Sequence, residues 1–553
     1  MFSVCKSNAN AKSSNYAVVT DHKLATDAAL DILKKGGSAA DATVVAQLVL
    51  TLVEPQSSGI GGGAFALFWH NKTAQLDSYD GRETAPLNAK ENYFFDDNNQ
   101  PLKWDFDTVR AAKSVGVPGT LALLKKMHQQ YGKLPWNDLL DKVIKIAKSG
   151  YILDKKIHRN LIFAQKNGLN PSFETAYNFY FQKNGEPKPT GTVLKNPAFA
   201  QTLETLKIDG IGAFYGGSIA KKILKSIYKA DKQAKPGQEI NLKDFASYQV
   251  KMRPAICSVY RHYKICGMGP PSSGALTTGQ ILGMLNNFNM QKIGFSAKGI
   301  HLFSEASKLA YADRALYMAD SDFVDMPIQG LLDTHYLNKR AQLIKQKTAA
   351  KTPVSAGNPP AKNAHSLSPS WQKERPSTSH FNVVDADGNV VSITTTIEQG
   401  FGSGIMVGGF MLNNELTDFS FAAETNGKKI ANRVEGGKRP RSSMSPSIVF
   451  AQNQPILAIG SPGGSRIIGY VAKAIVAILD WKMPLKQALD LGNFGNRNSK
   501  TTELEKGGNS AVFQNDLEKL GHNIKITPMN SGLTAIKINS DGTLKTARDR
   551  RRE

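Results

Sequence analysis

Leu24, Ala28 and Ile32 repeat at helical spacing and stop at Gly36-Gly37, which predicts a first helix closed by a glycine cap. Ser38 with Asp41 has capping-box spacing, and Ala39 to Leu50 is almost entirely small or apolar, so a second helix should follow and be buried on most sides. After VEP, the glycine-rich QSSGIGGG feeds a strand from Ala64 to Trp69. A second strand, Ala74 to Tyr79, delivers Asp80, Gly81, Arg82 and Glu83 to its end.

Residues from about 105 to 345 read mainly as helices, including basic amphipathic stretches such as IAKKILKSIYKA, whose apolar face should be core and whose lysines should be solvated. From Lys345 to Ser377 proline, serine, alanine and lysine dominate without apolar periodicity, which predicts an exposed, mobile connection. Beyond it the pattern switches to strands. SHFNVV and VVSITTT flank DADGN as a hairpin, SIVF and ILAIG add two more strands, and SPGGSRIIGYVAKAIVAIL reads as a loop entering a helix. NIKITP and TAIKI should close the sheet before the basic tail RDRRRE.

At 553 residues with 41% apolar and 21% charged positions, the chain can bury a full core, which excludes disordered and disulfide-stapled miniature classes. Its net charge of +23 raises the question of nucleic acid, but no zinc-finger spacing, RNP-like strand or continuous basic helix accompanies it; a solvated basic surface is expected, with no nucleic-acid partner. No stretch of 18 apolar residues occurs, so no membrane span is expected. Cys5, Cys257 and Cys266 are too few and too scattered for a disulfide framework and leave the redox compartment open. The opening MFSVCKSNANAKSSNYAVV lacks a signal-like apolar run; a periplasmic or secreted site is expected if a signal was trimmed, and a cytoplasmic one otherwise.

The low-complexity connection leads directly to Thr378, which opens the first strand of the second half. A threonine hydroxyl is a poor nucleophile without a base, but a threonine at a chain's N-terminus carries its own α-amine, whose pKa near ~8 suits a general base. Scission between Ser377 and Thr378 would create that arrangement. From spacing alone, a threonine starting a strand is ordinarily structural.

The motifs GGSAADA, VEPQSSGIGGG, DGRETAP, VGVPG, GPPSSG, TSHFNVVDADGNVVSITTTIEQGFGSGI, MLNNELTDFS, RPRSSMSPSIV and GSPGGSRII supply the specificity. In these, from Ser38 to Asp549, the chain resembles the γ-glutamyltransferase (γ-glutamyltranspeptidase) family of N-terminal-nucleophile hydrolases, made as precursors and cut autocatalytically. The resemblance implies an α+β fold, the four-layer αββα sandwich, with a large subunit of residues 1–377 and a small one of 378–553 that fold together.

It also implies the chemistry: Thr378 attacks the γ-carbonyl of glutathione or another γ-glutamyl amide, and the resulting ester passes to water or to an amino acid or dipeptide acceptor. No cofactor or metal is implied. By the same match, Thr396 orients the nucleophile, Gly463 and Gly464 form the oxyanion site, Arg82 with Ser442 and Ser443 holds the substrate α-carboxylate, and Asp418 grips the α-ammonium. Glu415 stands where the family carries Gln or Glu. Glu398 departs from the Asn of well-studied transferases, and its IEQGFGS context resembles a cephalosporin-acylase-like branch, so a glutaryl acylase is the alternative expectation. The segment from Phe419 to Lys438 lacks the lid sequence of relatives with a covered site. CGMGPPSSG is expected to line the cleft wall, and Asp313 with Arg314 to form a structural ion pair.

Overall fold

The computed structural model describes residues 15–230, 237–361, 367–370 and 377–552. Its centre is two six-stranded sheets. The first contains β1 (Ala17–Val19), β2 (Gly63–His70), β3 (Gln75–Gly81), β4 (Lys251–Met252), β7 (Ser379–Val384) and β8 (Val390–Thr396), in the order β1-β7-β8-β2-β3-β4. The second contains β5 (Ile256–Tyr260), β6 (Tyr263–Gly267), β9 (Ser447–Ala451), β10 (Gln454–Gly460), β11 (Thr534–Ile538) and β12 (Leu544–Arg548), in the order β12-β11-β10-β9-β6-β5.

Strand β2 shows why the sheets stack. Ala64, Ala66 and Phe68 join a core with helices α1 (Lys23–Lys34) and α2 (Ala39–Val53), whereas Phe65, Leu67 and Trp69 join a core with the second sheet. With both faces buried, the strand reads as a continuous apolar run. Helices α3 (Gly274–Leu285), α4 (Ala297–Tyr317) and α5 (Ile467–Leu479) cover the outer face of the second sheet. The result is the expected αββα sandwich.

Every residue of α2 is buried, as its composition predicts, and the capping box forms: Asp41 N–H donates to Ser38 Oγ at 3.2 Å and Ser38 N–H to Asp41 Oδ2 at 2.8 Å. Such a cap contributes about 1 kcal/mol. In Ser218–Ala230 the isoleucines and Leu224 are buried while the four lysines stay exposed. Among the described residues no helix is long and apolar enough to cross a membrane.

Three readings need correction. Cys257 and Cys266, read as too scattered for a disulfide framework, are directly paired and disulfide-bonded in a hairpin of Ile256–Tyr260 and Tyr263–Gly267, within a 105–345 stretch that is otherwise mainly helical as expected; alternate residues of the edge strand face solvent, so it reads as a polar stretch. Ile524–Thr527 does not close the main sheet. It pairs with Thr502–Glu505 in a satellite sheet, consistent with its partial exposure, and β12 takes the edge position. Finally, the described part of the 345–377 connection is tied down: Ala349 N–H donates to Leu520 O (2.6 Å), Val354 N–H to Asn498 Oδ1 (2.8 Å) and Gly357 N–H to Asp313 Oδ1 (2.8 Å). Polar composition fixes exposure, but such backbone donors can still find partners.

Candidate active site

The β7–β8 hairpin brings the nucleophile candidate to its partner. Ser379 pairs with Thr395 across an antiparallel ladder, so one step further places Thr378 opposite Thr396. In the continuous chain the Thr378 hydroxyl donates to Ser377 O at 2.6 Å and lies 3.4 Å from Thr396 Oγ1, which donates to the same carbonyl at 3.0 Å. The Ser377 hydroxyl is held by Gln56 O, and Ser58 Oγ donates to Ser379 Oγ at 3.0 Å, so the QSSG loop grips both sides of this bond. Gly62 makes that approach possible: a Cβ there would lie 2.0 Å from Thr396 O.

His380 is no base for Thr378. Its ring is bound to Thr394 Oγ1 (2.9 Å) and Asn382 Oδ1 (3.2 Å), and burial pushes its pKa down to about 3, leaving it neutral.

Thr378 and Thr396 open into a cleft with about 270 Å³ of empty space, shared with Arg82, Glu398, Glu415, Asp418, Ser442, Ser443 and Gly464. Gly464 begins a single 3₁₀ turn before α5, and Gly463 precedes it at φ 141°. Neither backbone N–H donates to an acceptor among the described residues. Behind the turn, Tyr311 OH donates to Ser465 O and Arg466 forks onto Glu503 at 2.6 and 2.9 Å.

The opposite wall is a buried charge cluster. Arg82 lies at the end of β3 and is fully buried; Nη2 donates to Asp418 Oδ2 (2.6 Å) and Arg441 O (3.1 Å), Nη1 to Glu415 Oε1, and Nε to Pro440 O (3.1 Å). Burial disfavours the charged guanidinium, but Glu415, Asp418 and Glu83 outweigh it and hold Arg82 more firmly charged than usual. Three carboxyls therefore face one arginine. Arg82 Nη1 lies 3.8 Å from Glu83 Oε2, beyond hydrogen-bond reach, and the Glu83 carboxyl contacts that of Glu415, a pairing satisfied only when one of them carries a proton. Burial raises Glu83 to about 7 and Glu415 well above the ordinary range.

Glu398 sits in the left-handed region at φ 72°, uncommon for a non-glycine. Its N–H donates to Thr396 Oγ1 (2.9 Å) and its Oε2 accepts from Asn414 Nδ2 (2.7 Å). Burial, then Asp418 and Glu415, push its pKa well up, so it too tends to hold a proton. The fold thus brings Glu398 and Asp418 into one cluster.

Ser442 and Ser443 line the cleft, with Ser443 Oγ accepting from Arg314 Nη2 at 2.7 Å. CGMGPPSSG is not among the lining; it braces the wall from behind, where Ser273 donates to Ser442 O through N–H (2.8 Å) and Oγ (2.7 Å). The expected Asp313–Arg314 pair does not form, because adjacent helical residues point to different sides. Asp313 meets Arg340 at 3.3 Å, while Arg314 serves Ser273 and Ser443.

The sequence reading names Arg82, Thr378, Thr396, Glu398, Glu415, Asp418, Ser442, Ser443 and Gly464 as site residues, and these line one cleft, with Gly463 one step behind. It passed over Glu83 and Asn414, although both lie inside motifs already singled out, RETAP and NNELTD; adjacency to Arg82 and Glu415 was the available signal.

The model of the family described as gamma-glutamyltranspeptidase matches residues 25–553. The chain is 36% identical over 542 residues to a glutathione hydrolase proenzyme of Bacillus subtilis (strain 168), covering 96% of this chain and 89% of that one. It is 35% identical over 539 residues to the glutathione hydrolase proenzyme of Escherichia coli (strain K12), covering 95% and 89%. The solved structure of a cephalosporin acylase from Bacillus halodurans superposes with a TM-score of 0.83 over 98% of this chain and 95% of that one, at 24% identity, and so shares the fold. The chain belongs to the gamma-glutamyltranspeptidase family of N-terminal-nucleophile hydrolases.

Proposed function

We propose that this protein is a self-processed γ-glutamyltransferase and glutathione hydrolase in which Thr378 does both the maturation and the turnover chemistry. The observation that carries the reading is a single cleft lined by Thr378 and by the Arg82–Asp418 pair.

In maturation, Thr378 Oγ attacks the Ser377 carbonyl carbon, and the negative charge on Ser377 O is met by the Thr396 hydroxyl that already donates to it. The Ser377–Thr378 C–N bond breaks, its nitrogen takes up a proton as the Thr378 α-amine, and an ester remains. Water hydrolyses the ester, leaving residues 1–377 and 378–553 in one folded body.

In turnover, Thr378 Oγ attacks the γ-carbonyl while the α-amine takes the hydroxyl proton and returns it to the leaving amine. The oxyanion faces Gly463 and Gly464. Water, or the amine of an amino acid or dipeptide, then releases the glutamyl group.

Substrate selection follows from charge balance. A γ-glutamyl group brings a carboxylate and an ammonium together, so it can insert between Arg82 and the acids, its carboxylate meeting the arginine and its ammonium meeting the acids. Arg82 and the serines take the carboxylate; Asp418, aided by Glu398 and Glu415, takes the ammonium. A glutaryl group brings only the carboxylate and strands Asp418, a penalty of about 1–3 kcal/mol or more. Comparison of γ-glutamyl- and glutaryl-p-nitroanilide tests this: kcat/KM should favour the γ-glutamyl compound by roughly tenfold or more, and a preference for the glutaryl compound would make the protein an acylase.

A further inference from the structure

Away from the cleft, α4 carries His301 and Glu305 one turn apart, and His522 meets them from the segment preceding Ile524–Thr527. All three are buried, and one ligating atom of each lies within 4.8 Å of the others. The two imidazoles face each other, His301 Nδ1 to His522 Nε2 at 2.8 Å. Their far nitrogens are held from outside, His301 Nε2 by Lys345 O at 2.8 Å and His522 Nδ1 by Thr502 Oγ1 at 3.0 Å.

We propose that His301, Glu305 and His522 form a binding site for one divalent transition-metal ion of the zinc class, separate from the catalytic cleft. Lys345 O can only accept, so His301 carries its hydrogen on Nε2 and turns the Nδ1 lone pair inward. A metal-binding histidine is ordinarily oriented by this kind of outer hydrogen bond. Thr502 Oγ1 can donate or accept; it therefore serves His522 in either tautomer. Without an ion, His522 Nε2–H donates to His301 Nδ1. On binding, that hydrogen moves to His522 Nδ1, Thr502 switches from donor to acceptor, and no net proton need leave.

Glu305 accepts from Lys308 Nζ (2.6 Å) and from Ala350 N–H (2.9 Å), one on each oxygen, and a carboxylate still has lone pairs left. The Lys308 ammonium opposes cations held by charge alone, such as Mg²⁺ or Ca²⁺. Two imidazoles instead favour zinc, cobalt, nickel or copper. Metal–nitrogen bonds of about 2.0–2.1 Å in tetrahedral geometry require the facing nitrogens to separate by roughly half an ångström. Lys345, Ala349 and Ala350 all lie in the stretch leading to Ser377, so the ion would clamp that stretch between α4 and the satellite sheet.

The test uses the whole purified protein, stripped with a chelator and titrated with Co²⁺. One equivalent should give saturable ligand-field absorption in the visible, Zn²⁺ should displace it and raise Tm, and His522→Gln or His301→Gln should abolish both. X-ray absorption on the wild-type cobalt form, independent of any variant's folding, should count two imidazoles with oxygen ligands. Absence of the cobalt band and the Tm rise, a spectrum unchanged by His522→Gln, or a shell of oxygens only would each overturn the site.

Discussion

The hydroxyls of Thr378 and Thr396 converge on one acceptor, the carbonyl oxygen of Ser377, at 2.6 and 3.0 Å. The bond proposed to be cut thus lies within reach of the proposed nucleophile, while the neighbouring threonine already donates to its oxygen. This follows from cross-strand register, and the first prediction tests it. Thr396→Val keeps the strand's shape but removes the donor, so self-cleavage should slow by about 10²–10³-fold, read as persistence of the uncut band with an unchanged circular-dichroism spectrum. Cleavage at the wild-type rate would remove Thr396 from the chemistry.

Arg82 holds its partners through a planar fork that lysine cannot reproduce. Arg82→Lys should raise KM for γ-glutamyl-p-nitroanilide by at least roughly tenfold, with a smaller change in kcat, because a bidentate grip on the α-carboxylate is lost. An unchanged KM would place carboxylate binding elsewhere.

Gly463 combines φ 141° with a Tyr470 ring carbon only 2.6 Å from where a Cβ would sit. Gly463→Ala should therefore displace the turn and misdirect its N–H groups, lowering kcat for a cleaved enzyme by about 10²-fold if one oxyanion donor is lost. Normal turnover would refute this placement of the oxyanion site.

Glu83 gives a pH signature. Its carboxyl is raised from 4.5 to about 7 in the folded protein, so the native state keeps a proton that the unfolded chain releases above about 4.5. Its contribution to stability accordingly falls as pH rises between those values and is flat above them, by at most ~3 kcal/mol. Glu83→Gln removes this loss. The Tm difference, variant minus wild type, should grow from pH 4.5 to 7 and then level off; a difference independent of pH would mean that Glu83 is not held protonated.

Much of this was legible in sequence because it depends on local signals. The DADGN turn fixes the hairpin register and with it the approach of Thr378 to Thr396, and the Ser38–Asp41 box fixes the start of α2. What escaped depends on distant chain segments. Nothing near Glu83 in sequence reveals that Glu415, more than 300 residues away, will share its burial, or that His522 will meet His301. The Cys257–Cys266 bridge was missed for a different reason: its strands are half exposed, so their alternation was hidden within a stretch taken as helical.

The claim on which the rest turns is that Thr378 becomes the first residue of a chain. N-terminal sequencing and intact-mass measurement of active protein, beside Thr378→Ala, test it directly. Wild type should give two chains, one beginning TSHFNVV, and the variant a single inactive chain of 60.1 kDa. A wild-type protein that is fully active and still uncut would contradict the account.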